Sequence, residues 1–226
     1  KLQKDNIDTS NIIISKNHRT GVAGIHVDKN TGKNAITVVR GAPSSMTIDE
    51  INIDIIKQSK IFLTQLEVPL DVTLYCLKTA KKNGLINILN PAPACKLNNQ
   101  FFELIDYFTP NETEAEFYSG VKINNEDDAK KSAKKLIKLG IKNVIITLGE
   151  KGLFYSNGKK EIYIKASKVK AIDTTGAGDA FNGGFSVALL EGKEINECLY
   201  LANRIAGLST TRLGAGDSMP TLNELN

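Results

Sequence analysis

The chain has 226 residues, of which 41% are hydrophobic and 24% are charged, and its formal net charge at pH 7 is +4. This length suits one large domain or one domain with an appendage, and the mild charge, spread over both signs, argues against a nucleic-acid-binding protein. The three cysteines are too far apart for a disulfide framework or a zinc site, and no apolar run is long enough to cross a membrane. We therefore expect a cytoplasmic protein with neither nucleic-acid nor membrane partners.

The opening segment predicts short strands and no helix. β-Branched runs are separated by turns rich in Asn, Lys and Gly, one of them at residues 30–32; the runs lie at 12–14, 22–27 and 35–39. A segment of alternating strands and helices follows. We therefore expect residues 1–45 to form part of a small sheet appended to a larger domain that spans residues 46–226.

From residue 47 onward, strands and helices alternate. Helices are predicted at 47–59, 69–83, 125–139 and 195–211, and strands at 61–66, 85–89, 107–109 and 144–147, with a hairpin at 152–164. Near-continuous apolar strands between amphipathic helices predict a mainly parallel sheet that is covered on both faces. Ligands bind beyond the carboxyl ends of such strands, so the loops that follow them are where we expect the site.

An acidic stretch, Asn111-Glu112-Thr113-Glu114, follows one of these strands. Glu114 comes three residues after Asn111, which predicts a capping box at the start of a helix. The same two side chains suit Mg²⁺ held through water, because that ion prefers oxygen ligands and keeps much of its water shell. The Asn-x-x-Glu spacing alone leaves both interpretations open.

Two glycines, Gly149 and Gly152, follow the strand that ends at Thr147. Glycines after a buried strand allow a nucleotide to lie against the backbone, although an ordinary glycine turn is the simpler interpretation. The chain has neither a P-loop nor a Gly-x-Gly-x-x-Gly dinucleotide fingerprint. A dinucleotide-dependent oxidoreductase is therefore disfavoured.

The most informative stretch is residues 173–185, Asp-Thr-Thr-Gly-Ala-Gly-Asp-Ala-Phe-Asn-Gly-Gly-Phe. A short strand is predicted before it, at 167–172, and a helix follows it. A strand, a turn of small residues and a helix direct backbone N–H groups and a positive dipole end towards an anion. Asp179 then suits a base that deprotonates a hydroxyl as a phosphoryl group arrives. A glycine turn with Asp179 as helix cap is the simpler interpretation, and the local pattern leaves both open.

This stretch closely resembles the carboxy-terminal signature of the ribokinase family of sugar kinases, the phosphofructokinase-B type. Further segments resemble the same family in the same order, namely residues 65–69, 90–94, 111–116 and 147–152. The Asn-Pro-Ala-Pro-Ala run at 90–94 resembles the ribokinase branch in particular. The resemblance covers nearly the whole chain and implies an α/β fold, a ribokinase-like three-layer sandwich with a mainly parallel sheet and a small β lid.

The resemblance implies a role for each matching residue. It makes Asp179 the base and a sugar contact, Glu67 a second sugar contact, and the backbone of Gly176, Ala177 and Gly178 the anion hole. ATP contacts are implied at Asn111, Thr147, Gly149, Gly152, Gly178 and Asn203. Mg²⁺ is implied, through water, at Asn111 and Glu114. A monovalent cation, K⁺, is implied beside the anion hole at Asp173, Thr175, Ser209, Arg212, Gly214 and Ser218.

The implied reaction is ATP-dependent phosphorylation of D-ribose at its primary 5-hydroxyl, with Mg²⁺ and an activating K⁺. Another sugar or a nucleoside of the same family, such as deoxyribose or fructose, is the alternative substrate. Lids of this kind can pair, which implies a homodimer.

Two departures from the family pattern bear on the sugar site. Pro43 stands where the family has Asn, so no binding role is carried onto it. Family members also begin with strands that carry an Asp and a Gly-Gly-Lys-Gly-Ala-Asn type motif, whereas this sequence opens inside the lid. We therefore expect a kinase that lacks its amino-terminal portion, and an inactive nucleotide-binding fragment is the alternative to an active enzyme.

Overall fold

A small antiparallel sheet precedes the main body of the chain. The computed structural model describes residues 2–29 and 34–225, and within them β1 (Val22–Val27) pairs with β2 (Asn34–Val39). The predicted turn at residues 30–32 lies outside the described residues. The strand predicted at 12–14 is wrong, because these residues form no ladder with any strand that the structure describes, and Ile14 is 88% exposed.

The ribbon formed by β1 and β2 exposes apolar side chains on both faces. Val22 and Val39 are register partners on one face, and Ala23 and Val38 are partners on the other. All four residues are exposed. β-Branched residues favour the extended backbone, but a lone two-stranded ribbon buries little apolar surface. Both faces of the β1–β2 ribbon are therefore available as contact surfaces.

The β1–β2 ribbon leads into the rest of the chain through a close backbone crossing. The Ala42 N–H donates to the Arg19 carbonyl oxygen at 2.8 Å. A Cβ atom at Gly41 would collide with the Gly21 nitrogen and the Arg19 carbonyl, so glycine is required there. A 3-10 turn, Ala42–Ser45, follows. The predicted division into a lid at 1–45 and a catalytic domain at 46–226 falls at this turn and stays a prediction.

The single helix predicted at 47–59 is wrong, since the segment is divided in two. The N–H and the hydroxyl of Thr47 donate to Glu50 Oε2 at 2.7 and 3.2 Å, which closes a 3-10 turn over Ile48–Glu50. Asn52 then accepts from the Asp54 N–H and caps a new helix, α1 (Ile53–Gln58). A second capping side chain thus restarts the helix.

The main sheet has its strands in chain order. Its six described strands are β3 (Ile61–Thr64), β4 (Ile86–Leu89), β5 (Tyr107–Phe108), β6 (Asn143–Thr147), β7 (Leu153–Ser156) and β8 (Glu161–Ile164). The first four are parallel, and β7 and β8 continue the sheet as an antiparallel hairpin. The predicted mainly parallel sheet and the predicted hairpin are confirmed.

Helices cover both faces of this sheet. They are α2 (Leu70–Lys82), α3 (Asn99–Leu104), α4 (Glu112–Ser119), α5 (Glu126–Lys138), α6 (Ala177–Leu190) and α7 (Ile195–Ser209). Among the helices of the described ranges, none is long and apolar enough to span a membrane.

The alternation of side chains along β6 shows why two helical layers are needed. Val144 and Ile146 belong to the core cluster on the side of α3, α4 and α5, whereas Ile145 belongs to the cluster with Phe181 and Phe185 of α6. Successive strand residues point to opposite faces, so a strand that is apolar throughout is buried on both sides. Each such side chain stabilises the fold by about 1.5–3 kcal/mol on burial. The predicted three-layer α/β sandwich is confirmed.

The strand predicted at 167–172, just before α6, is wrong. This segment has no regular secondary structure. The Ile172 N–H donates to the carbonyl oxygen of Thr210 at 2.7 Å, and the Asp173 N–H donates to the same oxygen at 3.1 Å. The backbone is therefore bonded to the end of α7 instead of a neighbouring strand.

Candidate active site

A cleft lies beyond the carboxyl end of β3, between the loops after β3 and β4 and the first turns of α6. Its volume is about 440 Å³. The polar residues that line it are Gln65, Glu67, Asn90, Asp179 and Asn182, together with Thr64. Glu67 and Asp179, the two predicted sugar contacts, thus line one cleft. Pro43 also lines it, which brings the turn after the β1–β2 ribbon to the rim.

The start of α6 is shaped by Gly176, its N-cap. This residue has φ +78°, and a Cβ there would lie 3.1 Å from the Ala215 Cβ and 3.3 Å from the Met219 Cε. Only glycine combines this backbone conformation with close packing against residues 215–219. The predicted anion-hole turn and the predicted cation-binding loop are therefore in direct contact.

Backbone N–H groups are available at this helix start. The Ala177 N–H donates to the Thr174 carbonyl oxygen at 3.3 Å. Among the described residues, the N–H groups of Gly176 and Gly178 donate to no backbone carbonyl oxygen. Such groups, at the positive end of the helix dipole, form a place where an anion can bind.

Asp179 lies in the first turn of α6 and faces the cleft. Its Oδ1 accepts a hydrogen bond from Gln65 Nε2 at 3.2 Å. The side chain is accessible from the cleft, but the protein around its other sides raises the pKa of the carboxyl, and the Gln65 hydrogen bond partly offsets that rise. A carboxylate with a raised pKa is a stronger proton acceptor, which suits a general base.

Buried amides and a hydroxyl support this corner of the cleft. Gln65 Nε2 also donates to Asn90 Oδ1 at 3.0 Å, and Asn90 Nδ2 donates to the Thr109 carbonyl oxygen at 3.0 Å. The Thr109 hydroxyl donates to Asn182 Oδ1 at 2.8 Å, and Asn182 Nδ2 donates to the Gly178 carbonyl oxygen at 2.9 Å. The ends of β3, β4 and β5 are thereby joined to α6 around Asp179.

Asn111 and Glu114 form the predicted capping box at the start of α4. Asn111 Oδ1 accepts from the Glu114 N–H, and Glu114 Oε2 accepts from the Asn111 N–H, both at 2.9 Å. Burial raises the pKa of Glu114, and the Asn111 N–H lowers it less. The box uses Oε2, and no hydrogen bond to Oε1 occurs among the described residues. A carboxylate oxygen that the capping box leaves over fits Mg²⁺ held through water.

Thr147 is a direct neighbour of this box. Its N–H donates to the Pro110 carbonyl oxygen at 3.0 Å, and it pairs with Asn111 in a parallel bridge. Two segments predicted to contact ATP are thus joined at the carboxyl end of β6. No group of three or more His, Cys, Asp and Glu side chains that could hold a metal occurs within residues 2–29 and 34–225.

The turn after β6 contains two glycines in different surroundings. Gly149 has φ +53°, and an added Cβ would meet no atom within 4 Å. Gly152 has φ +109°, and an added Cβ would collide with the Ile164 carbonyl oxygen at the end of β8. Gly152 is therefore required by packing, whereas Gly149 borders open space that a ligand can enter.

Asn203, on α7, donates from Nδ2 to the Lys165 carbonyl oxygen at 2.9 Å. This bond fixes the segment after β8 against α7. Among the bonds between described residues, none joins Asn203 to the 147–152 turn. The structure therefore brings Asn111 and Thr147 together by direct contact but not Asn203.

Asp173 holds the loop after α7 against the start of α6. Its Oδ1 accepts from the Thr175 N–H and its Oδ2 accepts from the Gly214 N–H, each at 2.9 Å. The Thr175 hydroxyl and these two N–H groups lower the pKa of Asp173 although the residue is only 3% exposed. Asp173 therefore stays an anion close to the anion-hole turn.

The other predicted cation ligands lie around the same loop. Ser209 and Ser218 are fully buried, and their hydroxyls donate to the carbonyl oxygens of Ala206 and Ala215 at 2.8 and 3.0 Å. The Arg212 side chain pairs with Glu224, so only its backbone carbonyl is suited to a cation. A buried carboxylate, hydroxyls and carbonyls form an oxygen donor set that fits a monovalent cation.

Several known proteins resemble this chain in sequence and in fold. Residues 1–222 match the family described as "pfkB family carbohydrate kinase". The ribokinase of Haemophilus influenzae is 43% identical over 224 residues, which cover 98% of this chain and 72% of that protein. The deoxyribokinase of Salmonella typhi is 33% identical over 210 residues, which cover 92% of this chain and 68% of that protein. The structure of Arabidopsis thaliana ribokinase complexed with ribose and ATP has a TM-score of 0.82 at 33% identity, over 92% of this chain and 69% of that chain.

The chain belongs to the pfkB family of carbohydrate kinases. The ribokinase-like fold and the class of ATP-dependent sugar kinase, both predicted from the sequence, are confirmed.

Four residues that support the cleft by hydrogen bonds were not assigned a role from the sequence. Gln65, Asn90 and Thr109 each follow a strand of the parallel sheet, and Asn182 comes three residues after Asp179 on α6. Residues three apart share a helix face, and strand ends share one edge of the sheet. These positions were the available signal, but their hydrogen-bond partners follow only from the folded structure.

Proposed function

We propose that this kinase transfers the γ-phosphoryl group of ATP to the primary 5-hydroxyl of D-ribose, giving ribose 5-phosphate and ADP. The observation that mainly supports the proposal is the cleft that Asp179 and Glu67 both line, with Asp179 in the first turn of the helix that begins at Gly176. Relatives that are named ribokinase support ribose as the acceptor.

In the proposed reaction, Asp179 takes the proton of the 5-hydroxyl group while the oxygen of that hydroxyl forms a bond to the γ-phosphorus. The bond between that phosphorus and the β–γ bridging oxygen breaks, and ADP leaves. The N–H groups of Gly176 and Gly178, in the turn that also contains Ala177, stabilise the charge on the transferring group. Glu67, which lines the same cleft, contacts the sugar.

The nucleotide would lie along the carboxyl end of β6, towards α6. Its proposed contacts are Asn111, Thr147, Gly149, Gly152, Gly178 and Asn203. Asn111 and Glu114 would hold Mg²⁺ through water, and that ion would neutralise phosphate charge. K⁺ would lie beside the anion hole, held by Asp173, Thr175, Ser209, Arg212, Gly214 and Ser218, where it would strengthen the attraction for phosphate.

Deoxyribose is the second candidate acceptor. Pro43, Leu63 and Val68 give one part of the cleft an apolar lining, which offers no hydrogen bond to a hydroxyl group. A relative that is 33% identical is named deoxyribokinase. A sugar that lacks one hydroxyl group loses no hydrogen bond where the lining of the cleft is apolar.

The test is sugar-dependent release of ADP by this chain, with Mg²⁺ and K⁺ present and with ribose, deoxyribose and fructose compared. Asp179→Asn should lower kcat about 10³-fold, because a general base contributes 10²–10⁴-fold. The rise in melting temperature caused by ATP should be retained. Asp127→Asn is the matched control, since Asp127 also lies in the first turn of a helix but is outside the cleft.

Unchanged turnover in Asp179→Asn would contradict the assignment of the base. If the unsubstituted chain releases no ADP with any of the sugars but is still stabilised by ATP, the alternative of an inactive nucleotide-binding fragment is supported instead.

A further inference from the structure

The polar groups behind Asp179 form one continuous chain of hydrogen bonds. It starts at the Gly178 carbonyl oxygen and passes through Asn182, Thr109 and Asn90 to Gln65, which contacts Asp179. Asn182, Thr109 and Asn90 are 5%, 2% and 8% exposed, so water has little access to compete for these bonds. Buried polar groups of this kind hold their partners because an unmade bond is costly.

Two backbone carbonyls fix the direction of every bond in this chain. A carbonyl oxygen only accepts, so the Gly178 oxygen must face the Asn182 nitrogen, and the Asn182 oxygen must then face the Thr109 hydroxyl. The Thr109 carbonyl likewise fixes Asn90 with its nitrogen towards Thr109 and its oxygen towards Gln65. The orientation of each amide therefore follows from its partner.

This logic leaves Gln65 with a single orientation. Its nitrogen faces Asn90 Oδ1 at 3.0 Å and Asp179 Oδ1 at 3.2 Å, so both of its N–H hydrogens are used. The reversed amide would place an oxygen against two oxygen acceptors. Gln65 therefore always presents a donor to Asp179, and Asp179 Oδ1 is occupied.

We infer that Gln65, oriented by Asn90, Thr109 and Asn182, is a positioning residue that holds the Asp179 carboxylate with its second oxygen directed to the sugar hydroxyl. The inference rests on the proposed role of Asp179 as the base. It adds that the base is aligned by a neutral donor, because a lysine or arginine in the same place would weaken the carboxylate as a proton acceptor.

Few charges act on Asp179 from the surrounding elements. Among the described residues that line the cleft, Glu67 is the other titratable side chain, and Gln65, Asn90 and Asn182 are neutral. Burial raises the pKa of Asp179 and the Gln65 bond opposes that rise. Removal of the Gln65 donor should therefore raise the pKa further and shift the acidic limb of activity to higher pH.

The test compares Gln65→Leu with Gln65→Glu, which keeps the shape of the side chain. For Gln65→Leu we expect kcat to fall about tenfold, the size of one hydrogen bond to a charged group, with the KM for ATP unchanged. The acidic limb of the kcat profile should move to higher pH. In Gln65→Glu it should move further, because two neighbouring carboxyls share a proton.

Gln100→Leu is the matched control. Gln100 is an exposed residue of α3 that accepts a hydrogen bond from Lys78 and does not line the cleft. It should leave kcat and the pH profile as they are in the unsubstituted chain.

A second measurement separates this inference from the proposed function. Carboxyl ¹³C NMR titration follows Asp179 directly, through the resonance that is missing in Asp179→Asn, and needs no turnover. A raised pKa of that resonance in Gln65→Leu or Gln65→Glu supports the inference. An unchanged resonance together with an unchanged kcat profile overturns it. Full turnover in Asp179→Asn would instead overturn the proposed role of the base while the titration still reports on the Gln65 bond.

Discussion

Gly149 and Gly152 are both glycines, but for different physical reasons. Gly152 combines φ +109° with a backbone contact to Ile164 that no Cβ could occupy. Gly149 has φ +53°, a conformation that other residues adopt at about 1–2 kcal/mol, and its surroundings are open. The sequence pattern predicted a nucleotide contact for both glycines. Packing alone explains why residue 152 is a glycine, whereas it does not explain the glycine at 149.

Alanine at each glycine should therefore have a different effect. We expect Gly152→Ala to reduce the free energy of unfolding by about 2 kcal/mol or more, because it adds backbone strain and a collision. Gly149→Ala should cost about 1 kcal/mol but weaken ATP binding, since its methyl group enters the space proposed for the nucleotide. Thermal unfolding with and without ATP measures both effects. Equal losses of stability, with equal ATP affinity, would contradict this distinction.

Single residues of the site were predictable where a motif carries them, and otherwise not. Asp179 and Glu67 lie in recognisable segments and do line one cleft. Gln65 lies in the 65–69 segment but received no role from it, and the direction of its hydrogen bond depends on Asn90 and, through it, on Thr109. Such dependence runs through space, so the order of residues along the chain does not contain it.

At the scale of elements, the contact between the loop after α7 and the start of α6 depends on one carboxylate. Asp173 accepts hydrogen bonds from the Thr175 N–H on one side of this contact and from the Gly214 N–H on the other. Its pKa lies below the ordinary value of 3.8. A lowered pKa means that the unfolded chain binds the proton more tightly than the folded protein does. The stabilisation is therefore fully present above about pH 4 and is lost as the pH falls through the lower pKa of the folded state.

Asp173→Asn should remove this acid sensitivity and loosen the loop. We expect a lower melting temperature at pH 7, a smaller further fall in melting temperature between pH 5 and pH 3, and weaker stimulation of ADP release by K⁺. The control is Asp49→Asn, on the exposed 3-10 turn Ile48–Glu50. A melting temperature that falls with acid as steeply in Asp173→Asn as in the unsubstituted chain would contradict the assignment.

The elements themselves were predicted best where apolar periodicity is strong. The strand predicted at 85–89 and the helix predicted at 125–139 agree with β4 and α5 to within a residue. The errors have local causes. Asn52 restarts a helix that periodicity alone would continue, and residues 167–172 have strand-like composition but hydrogen-bond to the end of α7. Periodicity reports which residues are apolar, not which backbone groups find partners.

At the scale of the whole molecule, the β1–β2 ribbon exposes apolar side chains on both of its faces. Val22 and Val39 are 66% and 65% exposed on one face, and Val38 is 59% exposed on the other. The homodimer that the family resemblance implies would bury such a surface against a second copy. A charged residue there would oppose association, because an unpaired ammonium group is costly to bury.

Val38→Lys should therefore weaken self-association about tenfold or more, a loss of at least about 1.4 kcal/mol. Sedimentation equilibrium over a range of protein concentrations measures it. Val187→Lys, at an exposed position of α6, is the matched control. A monomeric unsubstituted chain, or equal association in Val38→Lys and the unsubstituted chain, would contradict a dimer through the ribbon.

The order of strands in the main sheet also bears on how the molecule assembles. Because β3 to β8 pair in chain order, each strand finds its partner soon after it in the sequence. Contacts between near neighbours close small loops and form early in folding. The bond between Gln65 and Asp179 spans 114 residues, so it closes only after the sheet and α6 have docked. Catalytic competence should thus be among the last properties that a refolding chain acquires, after its secondary structure has formed.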